Sequence, residues 1–303
     1  MRLKKRILFL ILVGFQSVVA QKNAESFFKP SDSLNSKKQN GIFVAEATLT
    51  AGALIGLNQL WYADYPKSDF HFINDNAHWL QLDKVGHVFS SYHLGRFGAE
   101  MLQWSGASNK NQLIYGAGLG FVFLSAVEVL DGYSAEWGAS YGDIIANASG
   151  TALYVSQELI WNEQRITPKF SFHTTQYANH RPDVLGSAFS EQILKDYNGQ
   201  TYWLSVNLYS FAKDSKIPKW LNVAFGYGAE GMLTGNTDTT AFLNVNPQRF
   251  RQFYLSVDVD LTKIKTKSHF LKTVFSVLNT IKIPAPTIEF VRFNDIKYHF
   301  IYF

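Results

Sequence analysis

Acid, imidazole and amide side chains recur at helical spacing within an apolar, glycine-rich stretch between Asp83 and Tyr154. Asp83 and His87 stand four positions apart in DKVGHVF, and therefore share one face of a helix. Glu128 and Asp131 follow in SAVEVLDG, and Asp143 and Asn147, again four apart, in GDIIANASG. Groups of this kind are costly to bury in membrane-like segments unless they partner one another, and they often mark a site. A carboxylate beside an imidazole suits a base or a metal ligand. His87, Glu128 and Asp143 are the candidate ligands.

Each residue also has a plainer reading. Asp83 could cap its helix, His87 could bond within a bundle, and Glu128 with Asp131 could be a helix end rising into solvent. Ser140 or Asp143 could cap the last helix. Asn147 stands mid-helix, where its amide needs partners on both ends. The short connections SGASNKN and DGYSAEWGAS make three helices sequential neighbours. They bring the start of one, the end of the next and the start of the last to the same end. Asp83, His87, Glu128, Asp131, Asp143 and Asn147 are thus expected to form a connected polar cluster there, with Lys84 as a nearby donor.

No nucleophile elbow, H-E-x-x-H pair, phosphate loop or dinucleotide fingerprint occurs. Histidines 71, 78, 87 and 93 lie close in sequence without metal-ligand spacing. The residues name neither a reaction nor a cofactor.

The order DK..H, then E..D....E.GAS..D...N..G, resembles the YfiM-like predicted periplasmic lipoproteins, domain of unknown function 2279. More distantly it is similar to VanZ-like membrane proteins. The resemblance runs from about Ile42 to Trp161 and rests on Asp83, Lys84, His87, Glu128, Asp131, Ser140, Asp143, Asn147 and Gly150. It implies a small helical envelope domain without an established activity. The chain departs from that pattern in having no cysteine, which lipid attachment requires, and in carrying a long β-rich second half.

The elements that must hold these residues read as an α+β protein. Four small-residue, marginally membrane-like helices are expected as a bundle over 41–162, near 42–62, 83–104, 112–130 and 142–161. The longest charge-free windows, 47–63 and 111–127, fall short of the roughly 20 residues of a confident span. A linker with a short helix is expected over 163–200. An antiparallel sheet of about five strands with one amphipathic helix, HFLKTVFSVLNTI, is expected over 201–303. The strands alternate with period two: Val223, Phe225 and Tyr227 on one side, Asn222, Ala224 and Gly226 on the other. Too few strands are present for a closed barrel of the usual size, so a curved sheet packed on the helices is expected.

Residues 1–20 read as a signal peptide, with a basic MRLKKR, an apolar run and a small-residue cleavage site at Ala20. Residues 21–40 read as a flexible lead-in. The leader's four basic residues account for the whole net charge of +4, so the basic balance gives no reason to expect nucleic acid. The absence of cysteine excludes disulfides and thiol catalysis. Aromatic residues, 16% of the chain, favour a membrane interface. The expected protein is exported, lies at the outer membrane or its periplasmic face, and binds membrane lipid or an envelope membrane protein without being an enzyme. The other reading is a membrane-embedded enzyme or metal site acting on a lipid or envelope precursor.

Overall fold

Small residues set the helix packing. In the computed structural model, which describes residues 24–63, 65–236, 247–291 and 295–302 (backbone only at 60 and 61), four long helices occupy the first half. They are α1 (Ser36–Leu57), α2 (Leu82–Trp104), α3 (Gly118–Gly132) and α4 (Tyr141–Trp161). The leader expected at 1–20 lies outside the described residues.

Helices α2, α3 and α4 pack on one another. Backbones meet directly: a β-carbon on Gly120 would lie 2.0 Å from the Ser91 carbonyl oxygen, and one on Gly150 would lie 2.2 Å from that of Val88. Only glycine permits such contact, as in membrane helix pairs. Helix α1 departs from the expected four-helix bundle. Of its 22 residues only Ile42 and Glu46 are buried, and it touches the other three chiefly where Ile42 meets Leu102 and Ala107. The physical reason is pattern, since the apolar residues of α1 are not gathered on one face that could be buried.

The segment before α2 makes a two-residue strand, β1 (Phe72–Ile73), parallel to β2 (Ala139–Ser140). It then turns through Trp79, Leu80 and Gln81, all at positive φ (48°, 50° and 67°). The turn is held from the second half of the chain. Trp79 N donates to Gly235 O at 2.7 Å, Arg251 donates to Gln81 Oε1 at 2.7 Å, and Tyr227 OH donates to Leu80 O. This anchor fixes the start of α2, where Asp83, Lys84 and His87 sit.

Six strands form one antiparallel meander in chain order: β3 (Ile166–Phe172), β4 (Gln200–Asn207), β5 (Leu221–Glu230), β6 (Phe250–Val259), β7 (Ala285–Val291) and β8 (Asp295–Tyr302). Strand β3 falls in the segment read as a linker. Its Pro168 and Lys169 disguise it, yet Pro168 lends its carbonyl to His93 Nε2 at 2.7 Å and Lys169 is fully buried. The sheet curls until the chain before β7 reaches β3, with Phe170 N donating to Thr280 O and Lys282 N to Phe170 O, both at 2.9 Å. Helix α5 (His269–Leu278) joins β6 to β7.

The sheet is inverted relative to a water-soluble sheet. Its enclosed face carries polar side chains beside an aromatic cluster of Trp203 and Tyr254: Lys169, Ser205, Asn207, Asn222 and Asp258 are each at most 1% exposed. Lys169 Nζ crosses from β3 to Asp258 Oδ2 at 2.7 Å, Ser205 Oγ donates to the same oxygen at 2.6 Å, and Asn222 Nδ2 donates to Ser205 Oγ at 2.8 Å. Full partnering makes that interior tolerable. The outer face carries the apolar half of the alternation. It packs on α2 near β3 and β4, where the Phe89 ring lies 5.8 Å from that of Phe170 and 5.6 Å from that of Tyr202. Beyond that contact it stands open, with Phe225 54% and Val257 46% exposed.

Candidate functional site

The start of α2, the end of α3 and the start of α4 meet at one end of the helical unit, and their polar side chains meet with them. Ser140 caps α4, accepting from Asp143 N at 3.2 Å, and its hydroxyl donates to Asp75 Oδ1 at 2.5 Å. Ser140 N donates to Glu128 Oε2 at 2.9 Å, so Glu128 is buried and does not rise into solvent. Asp83 is not the cap of α2. That position belongs to Gln81, and Asp83 Oδ1 accepts from Tyr197 OH at 2.6 Å.

Lys84 and His87 divide the carboxylates between them. Lys84 Nζ reaches Asp75 Oδ2 at 2.6 Å, Asp143 Oδ2 at 2.7 Å and Asp83 Oδ2 at 3.1 Å. The opposite oxygens turn toward His87. Its Nε2 lies 3.9 Å from Asp83 Oδ1, 3.8 Å from Glu128 Oε1 and 3.8 Å from Asp143 Oδ1. His87 Nδ1 meets Asn147 Oδ1 at 2.9 Å. Since that oxygen only accepts, Nδ1 carries the proton with the amide so placed. Asp131 lies at the margin and accepts from Tyr62 OH at 2.7 Å.

The electrostatics follow from burial and crowding. Burial disfavours the Lys84 ammonium, but Asp83, Asp143 and Asp75 outweigh it and raise its pKa. Burial likewise works against a charged His87, and the surrounding Asp83, Asp143 and Glu128 raise its pKa nonetheless. Burial would push Asp83 up, yet His87, Lys84 and the Tyr197 hydrogen bond hold it below the ordinary carboxylate value. Asp143 is pushed up to about 6 by burial and by Asp83.

The cluster therefore holds Asp83, His87, Glu128, Asp143 and Asn147 together, with Asp131 beside them. The sequence reading missed Asp75, Tyr62 and Tyr197. Asp75 sits in a turn-rich NDN run, and Tyr197 comes from 114 positions beyond its partner, so no local pattern marks either. His71 bonds locally near Ser68 and Asp69, and His93 is buried against Pro168, so neither belongs to the cluster.

The cluster lies within a segment that matches a known family model. Residues 69–157 match the family model described as Predicted periplasmic lipoprotein (DUF2279). This segment is similar to that family. It takes in every cluster residue from Asp75 to Asn147, while α1 and the six-stranded sheet lie outside the match, and it carries no link to VanZ-like proteins. The family description supports an exported, envelope location. No curated protein and no solved structure matches the chain. The 303 residues contain no cysteine, the residue that lipoprotein acylation uses.

Proposed function

We propose that the chain is a non-enzymatic protein of the outer membrane or its periplasmic face whose partner is membrane lipid, contacted through the outer face of the sheet and the exposed sides of the helices. The inverted sheet carries this reading. Turning Leu204, Phe225, Val257 and Ile296 outward while enclosing Lys169 and Asp258 is costly in water and favourable against acyl chains. The same polarity characterises barrels of the outer membrane, apolar outward and polar inward.

Other surfaces agree. Helix α5 docks through Val274, Phe275 and Ser276, with Arg96 Nη2 donating to Ser276 O at 3.0 Å and Ser276 Oγ to Glu100 Oε2 at 2.7 Å. Its Phe270, Leu271, Val277 and Leu278 are left exposed, the reverse of a helix seated on an aqueous core. Two helices, Ser36–Leu57 and Asn109–Gly132, are long and apolar enough to cross a membrane. Near the cluster, exposed aromatics gather at Phe70, Phe72, Tyr133 and Tyr141, with Phe72 stacked on Tyr141 at 4.2 Å. Rings of this kind settle at headgroup level. The surface would serve in place of the acyl anchor that the family description implies.

Flotation tests the reading. Purified full-length protein, diluted from detergent into phosphatidylethanolamine–phosphatidylglycerol vesicles, rises with them, and a Phe225→Glu, Val257→Glu pair reduces the floated fraction. Protein that stays folded at the bottom of the gradient, apart from the vesicles, contradicts it.

A further inference from the structure

We propose that Asp83, His87, Glu128 and Asp143 form a binding site for one divalent transition-metal ion, held between His87 Nε2 and the carboxylate oxygens that face it. The inference is independent of the membrane reading and rests on geometry, charge and an unmet polar atom.

Geometry comes first. Three carboxylate oxygens stand 3.8–3.9 Å from His87 Nε2, each beyond hydrogen-bond length. An imidazolium with one N–H at Nε2 would draw a single carboxylate close and let the others recede. Three nearly equal separations show that no one carboxylate has paired with Nε2 and that all three surround it. One donor atom from each of Asp83, His87 and Asp143 can be chosen so that all lie within 4.8 Å of one another. That spacing lets small shifts bring each to the roughly 2.0–2.2 Å that nitrogen and carboxylate ligands take on zinc.

Two atoms of the cluster are unmet, the donor Asn147 Nδ2 and the acceptor Asp143 Oδ1, and the acceptor is the one that faces the proposed site. Asp143 is 4% exposed, and this oxygen has no hydrogen-bond partner among the described residues. It points toward His87 Nε2 while its twin, Oδ2, is held by Lys84 at 2.7 Å. A buried carboxylate oxygen without a donor is costly, and a cation meets that need.

Charge and tautomer point the same way. Asp75, Asp83, Glu128, Asp131 and Asp143 face one lysine and one histidine, so acid remains in surplus even with the imidazole charged. The His87 Nδ1–H bond to Asn147 Oδ1 leaves Nε2 as the nitrogen able to offer its lone pair. This is the arrangement by which a ligating histidine is oriented and made more basic. One imidazole nitrogen with carboxylate oxygens suits zinc or manganese better than magnesium or calcium, which prefer oxygen alone. The side chains of Asp83 and His87 keep 20% and 17% of their surface exposed, which leaves an ion a way in.

The test uses the full chain in detergent, stripped with chelator and dialysed against zinc chloride or manganese chloride, with bound metal counted by mass spectrometry. The expected result is about one ion per chain for at least one metal, with binding abolished in His87→Gln and Asp143→Asn variants whose circular dichroism remains that of the parent. Asn147→Leu, which removes the acceptor at His87 Nδ1 and leaves the ligands in place, should weaken binding by roughly 10–100-fold. If a ligand variant fails to fold, nitrogen-15 histidine NMR of the parent decides, because the bound ion must shift His87 Nε2. Absence of uptake of either metal by the parent overturns the site. So does unchanged binding by the folded ligand variants, or an unshifted His87 resonance in metal-loaded protein.

Discussion

His87 Nδ1 and Asn147 Oδ1 lie 2.9 Å apart across the α2–α4 contact, and that bond sets which imidazole nitrogen faces the carboxylates. Asn147 is fully buried, so removing its amide strands the imidazole N–H. Asn147→Ala should lower stability by about 1–3 kcal/mol, the cost of a buried donor left without a partner. Denaturant unfolding of the full chain in detergent reads this, and an unchanged midpoint would mean the bond carries no such weight.

Glu128 separates acceptor from charge. Its Oε2 accepts the Ser140 backbone N–H at 2.9 Å in a buried position. Glu128→Ala removes that acceptor and should cost about 1–3 kcal/mol. Glu128→Gln keeps an oxygen there while relieving the surplus of acid, so its loss should be smaller in chelator-treated protein. Equal losses would show that the charge, rather than the hydrogen bond, holds the end of α3.

Two neighbouring glycines differ in what they permit. A β-carbon at Gly120 would meet the Ser91 carbonyl at 2.0 Å, whereas one at Gly118 has nothing within 4 Å. Gly120→Ala should therefore push α3 off α2 and cost about 1–3 kcal/mol or more. Gly118→Ala should be neutral or stabilise by up to about 1 kcal/mol through helix propensity. Thermal melts of the two variants measured together test the contrast, and a reversed order would refute the packing described for α2 and α3.

His93 predicts a pH dependence. Its Nε2 donates to Pro168 O at 2.7 Å and its Nδ1 accepts from Arg96 Nε at 3.3 Å, a pairing that requires the neutral ring. Burial, aided by Arg96, lowers its pKa from 6.5 to about 3. Between these values the unfolded chain binds a proton that the folded chain does not. This contribution is complete above the unfolded value and is lost as pH falls, at up to about 1.4 kcal/mol per pH unit. His93→Gln should flatten the slope of stability between pH 6.5 and about 4.5. A variant with the parent's slope would assign the acid sensitivity elsewhere.

Much of the first half was legible because its signals are local. The spacing of Asp83 and His87, the charge-free windows and the caps are all read within a few residues, and α2 and α4 begin within one residue of the expected positions. Alternation in β5 separated Val223 and Phe225 from Asn222 and Ala224, but period two cannot say which face turns inward. That choice depends on whether water or lipid surrounds the sheet. Strand β3 was hidden by Pro168, whose carbonyl serves His93 of α2, and by Lys169, whose role exists only once β6 brings Asp258 across the curled interior. Tyr197 joins the cluster from the other half of the chain, a contact that no local pattern encodes.

The central claim, that the outer face of the sheet meets lipid, is most directly tested by where that face sits in a bilayer. Because the 303 residues contain no cysteine, a single cysteine at Phe225 or Val257 takes a fluorophore at one defined place, with Lys213, an exposed lysine, as the aqueous control. In vesicles of acyl-brominated lipid, labels on Phe225→Cys and Val257→Cys should be quenched by the bromolipid and shielded from iodide, and the label on Lys213→Cys should show the reverse. Iodide quenching at Phe225 and Val257 equal to that at Lys213, with none from the bromolipid, would contradict the account.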